Sequence, residues 1–259
     1  MYCGLDQKIK NQLKNMKKLI LTLVVCLSVL GAFAQDAVQL KNDGNAALKA
    51  KDYKAAIVHL ENYLRLPEAA EDIKTVYNVG YAAYKVKDYD KSVIYFDKAI
   101  AAKYKLSSSY LRKATAQKKL KKYDEMVATL KAGMAAVPAK KAKLAKTLAK
   151  HYLIEGQKAQ KASNFDAAEA SYKEAIDLKS SMKTDAIVSL GSLYFGKGAK
   201  IQAAANPLAN TEKEKFAVEI AKAQSFYKKA VAQYSKAKIL APAREDVDSL
   251  LNKVKAVLK

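Results

Sequence analysis

The residues able to do acid–base, nucleophilic or metal chemistry are few and poorly placed for it. His59 and His151 are the only histidines in 259 residues. Neither opens a His-x-x-x-His or His-Glu-x-x-His run, so a helix-borne zinc site has no support and no metal is expected. Both cysteines, Cys3 and Cys26, lie before residue 35, which leaves no thiol downstream. The run Gly191-Ser192-Leu193-Tyr194-Phe195-Gly196-Lys197-Gly198 nearly spells a phosphate loop. It lacks the final Ser or Thr and the preceding strand that such a loop needs. Glu71-Asp72 and Glu245-Asp246 are paired carboxylates, but they stand at expected helix starts, where negative charge favours the helix dipole. No Ser-His-Asp arrangement can be assembled. An enzyme is therefore not expected, and neither is a cofactor.

What the chain has in quantity is positive charge. It carries 44 Lys, three Arg and 46 Ala, with a net charge of +22. The charge is uneven. Residues 35–102 are neutral, 103–150 carry 14 bases against Asp124 and Glu125, and 151–259 carry a net +6. Lys113, Lys118, Lys119, Lys121, Lys122, Lys140, Lys141 and Lys143 form a candidate basic patch in the middle region. Such a run is either a solvated face or a surface for an acidic partner. A nucleic-acid partner is not expected, because readers of backbone and base edges rely heavily on Arg. Net charge says nothing of the fold.

The elements that must position these groups are helical. Lys and Ala favour helix, Gly and Pro are scarce, and 51% hydrophobic residues is too many for a disordered polycation. Residues 1–34 stand apart. Met16-Lys17-Lys18, the apolar run Leu19 to Leu30, and Ala32-Phe33-Ala34 form a secretory signal pattern with cleavage expected after Ala34. The apolar run is too short to span a membrane. Met16 reads as the natural start. Export to the periplasm or cell envelope of a bacterium follows as an expectation. The mature chain has no disulfide staples and no apolar segment long enough for a membrane span, so a hydrophobic core must hold it.

A repeat fills that mature chain. A small residue is followed nine positions later by an aromatic, then by a small or medium residue, then by a large apolar one. Gly44-Tyr53-Ala56-Leu60, Gly80-Tyr89-Ser92-Phe96, Ala114-Tyr123-Met126-Leu130 and Gly156-Phe165-Ala168-Tyr172 follow it in turn. A fifth copy opens at Gly191 and closes with Tyr227, Ala230 and Tyr234. The small residue lets two helices of a hairpin approach, and the later residues pack on the next hairpin. One hairpin cannot bury its apolar stripe alone, so stacking is obligatory. At these residues the sequence resembles the tetratricopeptide repeat family, whose period is about 34 residues.

The resemblance implies an all-α fold, a right-handed superhelix or α-solenoid of about five helical hairpins with a C-terminal capping helix. It implies a single repeat domain over 35–259, with repeats near 37–70, 73–106, 107–140, 149–182 and 184–242, then a cap over 243–259. The last repeat is longer. Its first helix is expected over about 184–205, broken by Asn206-Pro207, with Thr211 and Glu214 forming a capping box for a second helix to about Ile239. Function is implied too: a non-enzymatic scaffold that holds a protein or peptide in the groove lined by the first helix of each pair. Lys41, Asn45, Asn78 and Arg112 resemble four of the five residues of the carboxylate clamp in co-chaperone members. In those members the basic residues pair with an acidic C-terminus and Asn fixes the peptide backbone. Ser108 stands where the clamp has Lys. The alternative is polyanion or envelope-surface binding through residues 103–150.

Overall fold

A computed structural model describes residues 36–69 and 71–258; the signal-peptide reading of residues 1–34 falls outside them. The described residues hold eleven α-helices and no strand. They are α1 (36–49), α2 (Tyr53–Leu64), α3 (Ile73–Lys85), α4 (Tyr89–Ala101), α5 (Leu106–Lys119), α6 (Tyr123–Ala136), α7 (Ala142–Lys161), α8 (Phe165–Asp177), α9 (Lys183–Ala205), α10 (Lys213–Leu240) and α11 (Glu245–Leu258). The chain divides into two compact units, one running to Met126 and one from Val127.

The turns explain why the helices stop and restart where they do. Lys51, Lys87, Lys121 and Ser163 all take a left-handed backbone, with φ of 62°, 68°, 61° and 59°. Each stands two residues before the aromatic that opens the next helix. Three of the turns then place an acceptor at the N-cap. The side chains of Asp52, Asp88 and Asn164 accept from the amides of Ala55, Lys91 and Ala167 at 3.0, 3.0 and 3.2 Å. The third turn has Lys122 there, which has no acceptor to offer.

In the first unit, consecutive helices α2 to α5 pack on their neighbours. Ala56, Leu60, Val79, Ala82, Phe96 and Ala99 are buried, and Tyr77 meets Phe96 edge-on with centroids 5.4 Å apart. Burying one such large side chain contributes roughly 1.5–3 kcal/mol. In the second unit α7 to α11 pack in sequence, and the most extensive pairing is α9 with α10. Tyr172, Tyr234, Leu144 and Leu148 are among the largest buried residues there. The glycines at the helix crossings set the spacing. A Cβ on Gly156 would lie 2.5 Å from the Tyr172 ring, and one on Gly191 would lie 2.7 Å from Tyr234. The buried hydroxyls are satisfied locally: Tyr172 donates to Gln160 Oε1 at 2.8 Å, and the hydroxyls of Tyr234 and Ser192 are 3.0 Å apart.

The expected break at Asn206-Pro207 is a short 3-10 turn, Asn206–Leu208. The expected capping box is absent. α10 starts at Lys213 after Glu212, with no side-chain hydrogen bond at its cap. Thr211 belongs to the preceding turn instead. Its amide donates to the Leu208 carbonyl at 3.2 Å and its hydroxyl faces the Pro207 carbonyl at 3.5 Å, so here it serves the turn and not the helix cap. α11 lies against α10 and buries Val247, Leu251 and Val254.

Candidate functional site

The four clamp-like residues lie on the first helices of the first unit. Lys41 and Asn45 are on α1, Asn78 on α3 and Arg112 on α5. No hydrogen bond or ion pair joins any two of them among the described residues.

Lys41 already has a partner. Its Nζ lies 2.8 Å from Asp72 Oδ2 and 5.2 Å from the centroid of the Tyr63 ring. Asp72 is the N-cap of α3. It accepts from the Thr75 amide at 3.1 Å, from the Thr75 hydroxyl at 2.9 Å and from the Tyr63 hydroxyl at 3.2 Å. Partial burial works against ionisation of Asp72, but the hydrogen bonds from Lys41 and Thr75 hold its carboxyl down at about 2. The same contact raises Lys41 above its usual range. Lys41 thus fastens α1 to the start of α3.

Arg112 is held differently. Its Nε donates to the Tyr77 hydroxyl at 2.8 Å, and its guanidinium carbon lies 4.6 Å from the centroid of Tyr81. The two terminal nitrogens keep their donors. Arg suits this place because its flat guanidinium stacks on rings while presenting a fork to an acceptor. Lys105 lies over both Tyr77 and Tyr104, at 5.1 and 5.3 Å, and Lys85 over Tyr53 and Tyr81, at 5.8 and 5.4 Å. The result is a ladder of alternating rings and cations: Tyr53, Lys85, Tyr81, Arg112, Tyr77, Lys105, Tyr104. Asn78 sits on α3 between Tyr77 and Tyr81 in sequence, and no side-chain hydrogen bond engages Asn45 or Asn78 among the described residues. Ser108 is exposed.

Sequence reasoning missed the ring half of this ladder. The signal was available in Tyr77, Tyr81 and Lys85, which recur every four residues and so share one face of α3.

The basic residues divide between the units. Within the first, Lys113 pairs with Asp97 at 2.6 Å and Lys122 with Asp90 at 3.6 Å. Lys118 and Lys119 occupy the last turn of α5, where cations favour the helix dipole, and Lys121 is the left-handed turn residue. Lys140, Lys141 and Lys143 belong to the second unit; Lys141 and Lys143 are exposed at the start of α7. The near phosphate loop, residues 191–198, lies inside α9, so its amides are committed to helix hydrogen bonds and cannot cradle an anion. His59 lies on α2, partly exposed, and His151 is buried on α7. No group of three or more metal-ligating side chains occurs among the described residues. No helix among them is long and apolar enough to cross a membrane.

A family model for the tetratricopeptide repeat matches residues 73–105, the segment of α3 and α4. A crystal structure of a TPR repeats protein from Bacteroides fragilis is 42% identical to this chain. The match covers 85% of this chain and 98% of that one, with a TM-score of 0.76. The chain belongs to the tetratricopeptide repeat family. Lower likeness is found to a TPR protein of Thermus thermophilus, 18% identical over 85% of this chain and 99% of that one, with a TM-score of 0.32. A MamA protein of Desulfovibrio magneticus is 19% identical over 78% and 96%, with a TM-score of 0.40. None of the curated proteins matches. Repeats of this family commonly serve as protein–protein interaction scaffolds and are generally not enzymes. In repeat terms Tyr77, Tyr81, Lys85 and Arg112 all stand on first helices.

Proposed function

We propose that the protein is a non-enzymatic scaffold of the bacterial cell envelope that binds a peptide or protein partner along the first helices of its first unit. The observation that supports this is Arg112 stacked on Tyr81 with its outer nitrogens unspent, between rings that offer flat apolar contact. Such a surface suits an acidic segment or C-terminus carrying apolar side chains, because charge-assisted bonds to a carboxylate are strong and aromatic faces hold adjacent apolar groups. Lys41 takes part only if a ligand carboxylate competes with Asp72. The envelope location rests on the signal pattern of residues 16–34.

The test is site-specific photo-crosslinking in the cell, from position 78 on α3 and from position 94 on α4. Species captured from 78, not from 94, and lost when Arg112 is replaced by Ala would support the reading. Identical capture from both positions would refute it. Salt separates the polyanion alternative: binding through exposed lysines falls steeply with ionic strength, whereas a contact led by aromatic faces does so weakly.

A further inference from the structure

Among the six helical glycines whose neighbourhoods are described, Gly196 alone has no packing reason to be glycine. Gly44, Gly80, Gly156, Gly191 and Gly198 each face a side chain that a Cβ would touch or strike, whereas a Cβ on Gly196 would meet nothing within 4 Å. Glycine inside a helix costs roughly 1 kcal/mol relative to alanine. Here that cost secures open space and not a helix crossing.

The space is a pocket of about 190 Å³ lined by Gln160, Ser163, Phe165, Leu193, Gly196, Lys197 and Lys200. The long last hairpin creates it. α9 continues from Gly191 to Ala205, while α7 stops at Lys161, soon after Gly156. The side of α9 therefore runs on beyond the α7–α8 turn and leaves a ledge against it. The floor is apolar, from Phe165 and Leu193. The rim is cationic: Lys197 Nζ lies 5.2 Å from the Phe165 ring centroid, and Lys200 Nζ donates to Ser163 Oγ at 3.1 Å. Neither lysine has a carboxylate within ion-pair distance among the described residues. Gln160 uses its Oε1 to accept from Tyr172, so its NH₂ remains to donate.

We propose that this pocket is a binding site for a carboxylate borne on one apolar group about the size of a phenylalanine side chain. The space has room for one ring, since a cavity of about 150 Å³ takes benzene. The apolar part rests on Phe165 and Leu193 in the space Gly196 leaves, and the carboxylate takes Lys197, Lys200 and the Gln160 amide. Helix amides cannot contribute, so the anion depends on side chains alone. Such a group arises as the C-terminal residue of a peptide or as a free small acid. The inference does not rest on the first-unit reading.

The test uses ¹⁵N-labelled protein and the Gly196 amide signal. The probes are N-acetyl-phenylalanine, its primary amide, and a hexapeptide ending in Phe with a free or an amidated terminus. The expected result is saturable binding of the free-acid forms, weakened at least tenfold on amidation and in Lys197→Gln/Lys200→Gln, and lost in Gly196→Leu. Arg112→Ala should leave it unchanged. Binding of the hexapeptide alone assigns the site to peptide ends; equal binding of N-acetyl-phenylalanine assigns it to small acids. Equal affinity of acid and amide, retention in Gly196→Leu, or no binding of any probe would overturn the proposal. Gly196→Ala serves as the folding control, since its methyl enters open space and raises helix propensity.

Discussion

The Lys41 ammonium sits 2.8 Å from the Asp72 carboxylate and ties the first helix of one repeat to the N-cap of the next. A residue that looks from sequence like a ligand contact is therefore also a structural strut. Asp72→Ala should remove the strut, the α3 cap and the Tyr63 hydrogen bond together. A loss of about 1–2 kcal/mol is expected, read as a lower urea midpoint.

The same contact gives a pH dependence whose sign is fixed. The Asp72 carboxyl is held at about 2 in the folded chain, below its ordinary 3.8. A carboxylate with a depressed folded pKa stabilises above its unfolded pKa, and the stability is lost as pH falls through the folded one. Stability should therefore drop between pH 4 and pH 2. About 1 kcal/mol of that drop, after solvent screening, should vanish in Asp72→Asn. Parallel titrations of the thermal midpoint for both chains would show it, and identical slopes would contradict it.

Two glycines of α7 and α9 should respond in opposite directions. Gly156→Ala drives a methyl to within 2.5 Å of the Tyr172 ring, whose hydroxyl is anchored to Gln160, so the ring cannot swing freely. A cost of about 1–3 kcal/mol is expected from overpacking. Gly196→Ala meets nothing and should be neutral or stabilising by up to about 1 kcal/mol. Denaturant midpoints of the two variants, measured side by side, check both signs.

The left-handed lysines carry strain. Lys87 holds φ at 68°, and a side chain there costs about 1 kcal/mol that glycine avoids. Lys87→Gly should raise stability by about 0.5–1 kcal/mol, with part of the gain offset by the freer unfolded chain. Calorimetry of the single variant is sufficient; a lower thermal midpoint would go against it.

Arg112 should not tolerate replacement by Lys at the proposed binding face. A lysine can reach one ring but cannot both stack on Tyr81 and hydrogen-bond the Tyr77 hydroxyl through a fixed plane. Arg112→Lys should weaken capture from position 78 about as much as Arg112→Ala does. Near wild-type crosslinking by the lysine variant would show that charge alone matters.

The hairpins were legible in the sequence because a small residue and an aromatic nine positions on are local facts. Gly156 with Phe165 and Tyr172 specifies two helices, their turn and their close approach within one repeat. The resemblance to the family rests on the same residues. What the spacing left open was every partnership made between repeats. Lys41 and Asp72 are 31 positions apart, and Arg112 and Tyr77 are 35 apart; nothing local announces either pair. The tertiary structure alone decides that Lys41 faces an acid, that Arg112 lies on rings, and that Gly196 borders a pocket while Gly191, five residues earlier, meets Tyr234. The reason is physical: periodicity dictates which face of a helix is buried, but the stacking of separate hairpins decides which side chains, or which empty space, that face meets.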